Sequence, residues 1–221
     1  MRHLFLLAAL FCACISYAQI RVQERLPKSK TGFALTTAKT RAKIYYDVND
    51  ALVIKRSAEL FARDIQMVTG QKPELIQKRE RAKALVIVGT IEKNQWIREL
   101  AQKRKIDIRP LQGAWERYLI QTVDNPSPGV AKALVIAGSD RRGAAYGLFS
   151  ISEMMGVSPW YWWGDVPVKT HKALYVDAPP TYSKTPSVKY RGIFLNDEDW
   201  GLKPWAAKTF EKERGNIGPR T

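Results

Sequence analysis

The order of apolar and polar positions along the chain predicts strands and helices in alternation. Short apolar stretches at residues 32–37 and 42–46 favour two strands. The segment after them favours a helix, which we expect Asn49 or Asp50 to cap and Gly70 to end. At a period of about 3.6 residues, the apolar face of this helix is predicted to consist of Val53, Leu60, Phe61, Ile65 and Val68.

Two segments of almost the same sequence follow, KALVIVGT at residues 83–90 and KALVIAGS at residues 132–139. Each is a continuous apolar run, which is typical of a strand that helices cover on both faces. The surrounding pattern predicts helices at residues 94–103 and 141–155, a strand at residues 117–123 and a turn at residues 125–129. We therefore predict an α/β sandwich in which helices flank a mixed sheet. A dinucleotide site is not expected, because neither glycine begins a G-x-G-x-x-G pattern.

The first 18 residues have the pattern of a secretory signal peptide. A charged start at residues 2–3 precedes an apolar run at residues 4–14, which is too short to span a bilayer. Small residues at Ser16 and Ala18 match a signal peptidase site, so we expect cleavage after Ala18 and a secreted or periplasmic protein. A lipoprotein attached through Cys14 is the alternative. No later segment is apolar and long enough to span a membrane.

The composition excludes several kinds of site. Both cysteines, Cys12 and Cys14, lie in the predicted signal, so the mature chain would have no disulfide, zinc thiolate or cysteine nucleophile. Neither His3 nor His171 has a partner at metal-ligand spacing, and we expect no metal and no cofactor. The formal charge is +15, but the basic residues are dispersed along the chain. Without a recognition helix or an aromatic RNA platform, a nucleic acid is not the expected partner, and an acidic polysaccharide fits better.

A proline-rich segment at residues 178–186 is predicted to be a linker. The segment at residues 189–195 after it predicts a strand that runs directly into Asn196, Asp197 and Glu198. We interpret it as the first strand of a β/α barrel, whose strands carry the binding pocket at their carboxyl ends. The expected domains are a signal peptide at residues 1–18, an α/β domain with its linker at residues 19–185, and the start of a truncated barrel at residues 186–221.

The acidic run has three possible roles: substrate binding or support of the pocket, direct proton transfer, and structure alone. Inverting glycosidases place two carboxyl groups about 6.5–9.5 Å apart across the scissile bond. Neighbours on one strand, such as Asp197 and Glu198, would lie on the same side of the substrate. They are therefore not expected to form an opposed acid and base.

Two further segments are candidates for function. Trp160, Trp163 and Asp165 belong to an aromatic string whose indole faces suit sugar rings, although these rings could equally form an interdomain core. In the segment at residues 138–147, Asp140 is expected to cap a helix and the glycines to let that helix approach the sheet. The functional alternative is that Asp140 or Arg141 reaches a ligand in the neighbouring domain.

Together and in this order, these segments resemble glycoside hydrolase family 115, the xylan α-1,2-glucuronidases. The resemblance rests on GSDRRGAAYG at residues 138–147, GVSPWYWWGDVP at 156–167, YRGIFLNDED at 190–199 and GNIGPRT at 215–221. It implies a secreted multidomain enzyme that removes glucuronic acid, or its 4-O-methyl form, from glucuronoxylan with inversion and without a redox cofactor. It also implies that Asn196, Asp197 and Glu198 line the pocket, to which residues 160–165 contribute.

A β/α barrel needs about 250 residues, so the resemblance places the catalytic acid and the missing domains beyond Thr221. We accordingly expect the isolated chain to be inactive. A second hypothesis is a non-catalytic carbohydrate-binding module that uses the aromatic string at residues 160–163.

Overall fold

The computed structural model describes residues 19–194, 196, 202–209 and 213, except for the side chains of Trp162 and Trp163. The chain divides into two compact units, Met1–Pro186 and Ser187–Thr221. The predicted signal peptide lies outside the described residues and stays a prediction. Of the helices in the described part of the chain, none combines the length and the apolar character that a membrane span requires.

The first unit contains strands and helices in mixed order. Its elements are β1 (Arg21–Gln23), β2 (Gly32–Thr36), β3 (Lys43–Tyr46), α1 (Leu52–Thr69), β4 (Leu75–Ile76), β5 (Ala82–Thr90), α2 (Gln95–Gln102), a 3-10 turn (Arg109–Leu111), β6 (Tyr118–Ser127), β7 (Val130–Gly138), α3 (Arg141–Met154), α4 (Trp160–Trp163), β8 (Leu174–Asp177) and β9 (Thr181–Tyr182).

The main sheet has six strands in the order β4-β3-β5-β7-β6-β9. The first four are parallel, whereas β6 runs antiparallel to both β7 and β9. The two repeated segments are direct neighbours in register, with Leu85 opposite Ala133. One face of the sheet packs against α1 and α3 through residues such as Phe61 and Leu148. The other face packs against α2 through Trp96. The predicted mixed α/β fold is therefore confirmed.

Helix α1 begins and faces the core differently from the prediction. Its N-cap is Ala51, not Asn49 or Asp50. Val53 and Leu60 are more than a third exposed, and the face that packs on the sheet is instead lined by Ile54, Ser57, Ala58, Phe61, Ala62, Asp64, Ile65 and Val68. The expected face was therefore confirmed for Phe61, Ile65 and Val68 and wrong for Val53 and Leu60, because a helix packed tightly against a sheet can bury small and polar residues in their place. Gly70 ends the helix as predicted, with φ +72°.

The proline-rich segment is less of a linker than its composition predicts. Ala178 is buried, and Thr181–Tyr182 forms β9 at the edge of the main sheet. Its pairing with β6 is extended by Ser183, whose hydroxyl accepts from the N–H of Tyr118 at 2.9 Å. The preceding strand β8 joins β1 and β2 in a second, antiparallel sheet that sequence reasoning missed. An unpaired sheet edge offers backbone donors and acceptors, and these outweigh the linker-like composition.

In the second unit, the described residues 189–194 contain no strand, and Leu195 lies outside the description. Tyr190, Ile193 and Phe194 are all more than 80% exposed. A strand requires a neighbouring strand for its backbone hydrogen bonds, and the strand pairings of the described residues do not include this segment. A helix, α5 (Leu202–Thr209), follows. The barrel interpretation of residues 186–221 therefore stays a prediction.

Candidate functional site

The predicted site residues fall in both units. Trp160 and Asp165 lie in the first unit, at the start of α4 and just after it, and both are exposed. Trp163 ends α4, but its side chain lies outside the description. Asn196 belongs to the second unit, where its carbonyl accepts from the N–H of Leu202 at 2.5 Å. Asp197 and Glu198 lie outside the described residues, so their joint pocket with the aromatic string stays a prediction.

A sharp turn directs the chain from α3 into the aromatic string. Gly156 has φ +93°. Its N–H donates to the carbonyl of Glu153 at 2.9 Å, and the N–H of Val157 donates to the carbonyl of Ser152 at 3.0 Å. This pair of hydrogen bonds is the Schellman arrangement, which favours glycine at the left-handed position. The turn reverses the chain over the exposed end of α3.

The aromatic string forms one helical turn, α4. The turn begins at Ser158. The hydroxyl of Ser158 accepts from the N–H of Trp160 at 3.1 Å, and its carbonyl accepts from the N–H of Tyr161 at 3.0 Å. Pro159 already has helical dihedral angles, φ −56° and ψ −27°. The N–H of Gly164 closes the turn on the carbonyl of Trp160 at 2.7 Å. Trp160 is 64% exposed and therefore free to meet a ligand.

Next to this turn lies a cleft of about 690 Å³, which we call the aromatic cleft. It is bordered by α1, the start of β6, α3 and the residues just before and within α4. Its lining consists of Leu60, Arg63, Asp64, Tyr118, Tyr146, Phe149, Ser150, Ser152, Glu153, Val157, Ser158, Pro159 and Tyr161. Aromatic rings that surround a few polar groups are typical of ligand sites, and such rings can pack on a sugar.

Asp64 and Ser152 are the buried polar groups of the aromatic cleft. The hydroxyl of Ser152 donates to Oδ2 of Asp64 at 2.7 Å. Burial raises the pKa of the Asp64 carboxyl above its ordinary value, against the opposing effects of this hydrogen bond and of the charge on Arg63. Sequence reasoning missed this pair. The signal was present, however, because Asp64 follows Phe61 by three residues on the buried face of α1.

Tyr146 on α3 is 39% exposed and lines the aromatic cleft. The glycines of the same helix do make the predicted close approach. A Cβ on Gly143 would lie 2.1 Å from the carbonyl oxygen of Arg117, and one on Gly147 would lie 2.6 Å from Cγ2 of Ile136. The helix therefore packs against the sheet at its glycines and presents Tyr146 to the cleft.

Asp140 has a structural role in this unit. Its carboxylate accepts from the backbone N–H groups of Arg142 at 2.9 Å, Gly143 at 2.8 Å and Glu116 at 2.7 Å. The predicted helix cap is thereby confirmed. With three donors already on the carboxylate, capping accounts for Asp140, and Arg141 is exposed beside it.

The carboxyl ends of the parallel strands β3 and β5 gather other acids, which are also bound to the backbone. The carboxylate of Asp50 accepts from the N–H and hydroxyl of Thr90 at 2.7 and 3.0 Å. Asp47 accepts from the N–H of Gln95 at 3.2 Å. Within the described residues, no group of three or more histidine, cysteine or acidic side chains could hold a metal ion. This sheet edge is therefore a network of loop and helix caps.

Comparison with known proteins supplies the family. A sequence profile described as glycosyl hydrolase family 115 matches residues 183–221, the region of the acidic run. A solved structure described as a family GH115 4-O-methyl-α-glucuronidase, with specificity for decorated arabinogalactans, is 35% identical and superposes with a TM-score of 0.66 over 86% of this chain. The chain belongs to glycosyl hydrolase family 115. It spans 23% of the length of that family 115 structure.

Two other solved structures resemble this chain more weakly. One is the protein CpGH84D, at 11% identity and a TM-score of 0.43, over 73% of this chain and 22% of the other. The second is a GH20 β-N-acetylhexosaminidase from Streptomyces coelicolor, at 12% identity and a TM-score of 0.38, over 77% of this chain and 25% of the other. Likenesses at this level carry no argument about function. No curated protein sequence matches the chain.

Proposed function

We propose that this chain is part of a secreted glycosidase that removes glucuronic acid, or its 4-O-methyl form, from the side chains of glucuronoxylan by inverting hydrolysis. The observation that supports it most is the 35% identity, over 86% of this chain, with a family 115 4-O-methyl-α-glucuronidase. That enzyme is described as specific for decorated arabinogalactans. The released sugar is thus better supported than the polysaccharide that carries it.

In this proposal, Asn196, Asp197 and Glu198 bind the sugar at the carboxyl end of the first barrel strand. Trp160, Trp163 and Asp165 are the sugar-binding residues that we propose in the α/β unit. An inverting enzyme needs one carboxylic acid to protonate the leaving oxygen and one carboxylate, about 6.5–9.5 Å away, to activate water. Neighbouring residues of one strand would lie on the same side of the substrate and could not act from opposite sides of the scissile bond, so we place the acid and base in further domains of the same protein.

The test compares the purified 221-residue chain with a longer protein that includes the barrel. We expect the longer protein to release glucuronic acid from glucuronoxylan and the chain alone to release none. Decorated arabinogalactan, tested in parallel, decides the polysaccharide. Release from arabinogalactan alone would refute the xylan assignment, and release by the isolated chain would refute its inactivity.

The exposure of Trp160 favours a second candidate, a non-catalytic carbohydrate-binding module. Trp160 is 64% exposed, and its neighbour Tyr161 lines the aromatic cleft. This candidate predicts that neutral xylo-oligosaccharides bind the isolated chain and quench its tryptophan fluorescence. The glycosidase proposal predicts little binding of neutral sugars by the chain alone, so one titration separates the two.

A further inference from the structure

Four basic side chains converge on an open cleft at the amino-terminal edge of the parallel strands. The cleft has a volume of about 720 Å³ and is bordered by Arg81, Lys83, Lys103 and Lys105. The turn between β6 and β7 forms its remaining wall. Among the described residues that line this basic cleft there is neither an acidic nor an aromatic side chain. Its charge is therefore of one sign.

The topology of the sheet brings these residues together. Strands β5 and β7 begin side by side, with Ala82 opposite Val130. Side chains alternate between the two faces of a strand, so Lys83 lies on the face of Leu85, which α2 covers. Helix α2 follows β5, returns along the sheet and ends at the amino-terminal edge, so that Lys103 follows its last residue.

The hairpin turn fixes the shape of the basic cleft. The ammonium of Lys105 donates to the carbonyl of Asn125. The N–H of Ala82 donates to the carbonyl of Gly129 at 3.0 Å. A Cβ on Gly129 would lie 2.9 Å from Cγ of Arg81, so the arginine stem lies against the turn. Three of the four cations, all but Lys105, are exposed.

The nearby Lys132 differs from the three exposed cations of the cleft, because its ammonium is bound within the folded unit. Its ammonium lies 3.1 Å from the carboxylate of Asp124 and donates to the carbonyls of Lys30 and Gly32 at 3.1 Å each. Among the described residues, no ion pair or hydrogen bond engages the charged groups of Arg81, Lys83 or Lys103, although Glu99 attracts Lys103 at longer range. These three charges are thus available to an anionic ligand.

We propose that the basic cleft is a binding site for the carboxylates of a glucuronate-bearing polysaccharide. Cations spaced along an open cleft match negative charges spaced along a flexible polymer. Sites for single-stranded nucleic acids combine such a charged groove with aromatic side chains on which bases stack, and the described lining has no aromatic side chain. The choice of glucuronate as the ligand rests on the proposed function, whereas the cationic character of the cleft does not.

The test uses the 221-residue chain and affinity electrophoresis in gels that contain glucuronoxylan. The cleft variant combines Arg81→Gln, Lys83→Gln and Lys103→Gln, and it keeps Lys105 because that side chain holds the hairpin turn. A matched control removes three exposed charges elsewhere, through Lys28→Gln, Lys93→Gln and Lys169→Gln. We expect the cleft variant to lose affinity by about tenfold or more, and the control to stay within about twofold of the original chain.

Two further measurements identify the ligand chemistry. Glucuronoxylan whose carboxyl groups have been reduced carries no negative charge for the cleft to bind. Its affinity for the original chain should therefore be as low as the affinity of unmodified glucuronoxylan for the cleft variant. Added salt should weaken binding of the original chain, because it screens exposed charges. Equal losses in the cleft variant and the control would overturn the inference, as would unchanged affinity of the cleft variant. Tighter retention of a single-stranded DNA through the same residues would overturn the polysaccharide assignment.

Failure of the proposed function would look different. It would be seen as a lack of glucuronic acid release by the longer protein from a short, soluble glucuronate-bearing oligosaccharide. That assay involves the catalytic pocket and does not require the polymer to reach the basic cleft. Binding that depends on the cleft, without release, would support the cleft and contradict the proposed reaction.

Discussion

The hydroxyl of Ser152 on α3 donates to the buried carboxylate of Asp64 on α1, at 2.7 Å. This hydrogen bond joins the two helices that cover one face of the sheet and lies in the lining of the aromatic cleft. A carboxylate in this position is unfavourable for folding, since burial raises its pKa above the ordinary 3.8. The consequence is a specific dependence of stability on pH.

Asp64→Asn should become increasingly stabilising, relative to the original chain, as the pH rises from about 3 to about 7. Because the folded pKa of Asp64 is raised, the folded state holds its proton more tightly than the unfolded state, and stability falls as the pH rises through this range. The asparagine keeps an acceptor for Ser152 without the ionisation. Urea unfolding at several pH values measures the difference, with the exposed Glu92→Gln as control. A constant difference across the range would contradict the prediction.

Gly143→Ala should destabilise the α/β unit, because its Cβ would lie 2.1 Å from the carbonyl oxygen of Arg117. That oxygen also accepts from the N–H of Ser139 at 2.8 Å, so it cannot move freely. Overpacking costs about 1–3 kcal/mol or more, whereas the helix propensity of alanine returns about 1 kcal/mol. A contact of 2.1 Å with a backbone atom belongs at the upper end of that range, so we expect a net loss of about 2 kcal/mol in the free energy of unfolding.

The matched control is Gly192→Ala, because nothing lies within 4 Å of the Cβ that it would add. Its free energy of unfolding should stay within about 0.5 kcal/mol of the original value. Thermal and urea denaturation measure both variants. If Gly143→Ala were as stable as this control, helix α3 would not be as close to the sheet as the structure has it.

The sequence predicted those parts of the fold in which local pattern and tertiary packing agree. The repeated apolar runs gave β5 and β7 nearly to the residue, and Asp140 caps α3 as expected. The prediction failed where the structure of a segment depends on packing or pairing with residues that are distant in the sequence. β9 is an edge strand whose partner, β6, lies far away in the sequence, and the buried face of α1 depends on the helix that packs beside it. The aromatic cleft combines four such segments, and the sequence had indicated two of them as candidates for function, the aromatic string with Tyr161 and the segment at residues 138–147 with Tyr146.

Arg79→Gln should destabilise the chain, and the effect should shrink in acid. The guanidinium makes two hydrogen bonds of 2.7 Å to the carboxylate of Glu99 and lies 4.8 Å from the ring centre of the buried Trp96. An exposed ion pair contributes up to about 1 kcal/mol, and a cation over an indole about as much. We therefore expect a loss of about 1–2 kcal/mol near neutral pH.

The pH dependence of this loss identifies its source. The hydrogen bonds from Arg79 lower the pKa of Glu99 below its ordinary 4.5. Because the pKa of Glu99 is lower in the folded than in the unfolded state, its ionisation stabilises the fold at a pH above the ordinary pKa. This stabilisation is lost as the pH falls through the pKa of the folded state. The difference between Arg79→Gln and the original chain should therefore decrease from about pH 7 to about pH 3. A loss independent of pH would leave packing on Trp96 as its whole cause.

Trp160→Ala should weaken the reaction of the longer protein without weakening the fold, if the proposed function is correct. The side chain is 64% exposed, so its removal should change the free energy of unfolding by less than about 0.5 kcal/mol. A ring contact contributes about 0.5–1.5 kcal/mol, which corresponds to a fall in kcat/KM of about two- to tenfold. Leu26→Ala is the matched control, because Leu26 is 66% exposed and does not line the aromatic cleft. An unchanged kcat/KM for release of glucuronic acid by Trp160→Ala would exclude this indole from the sugar site.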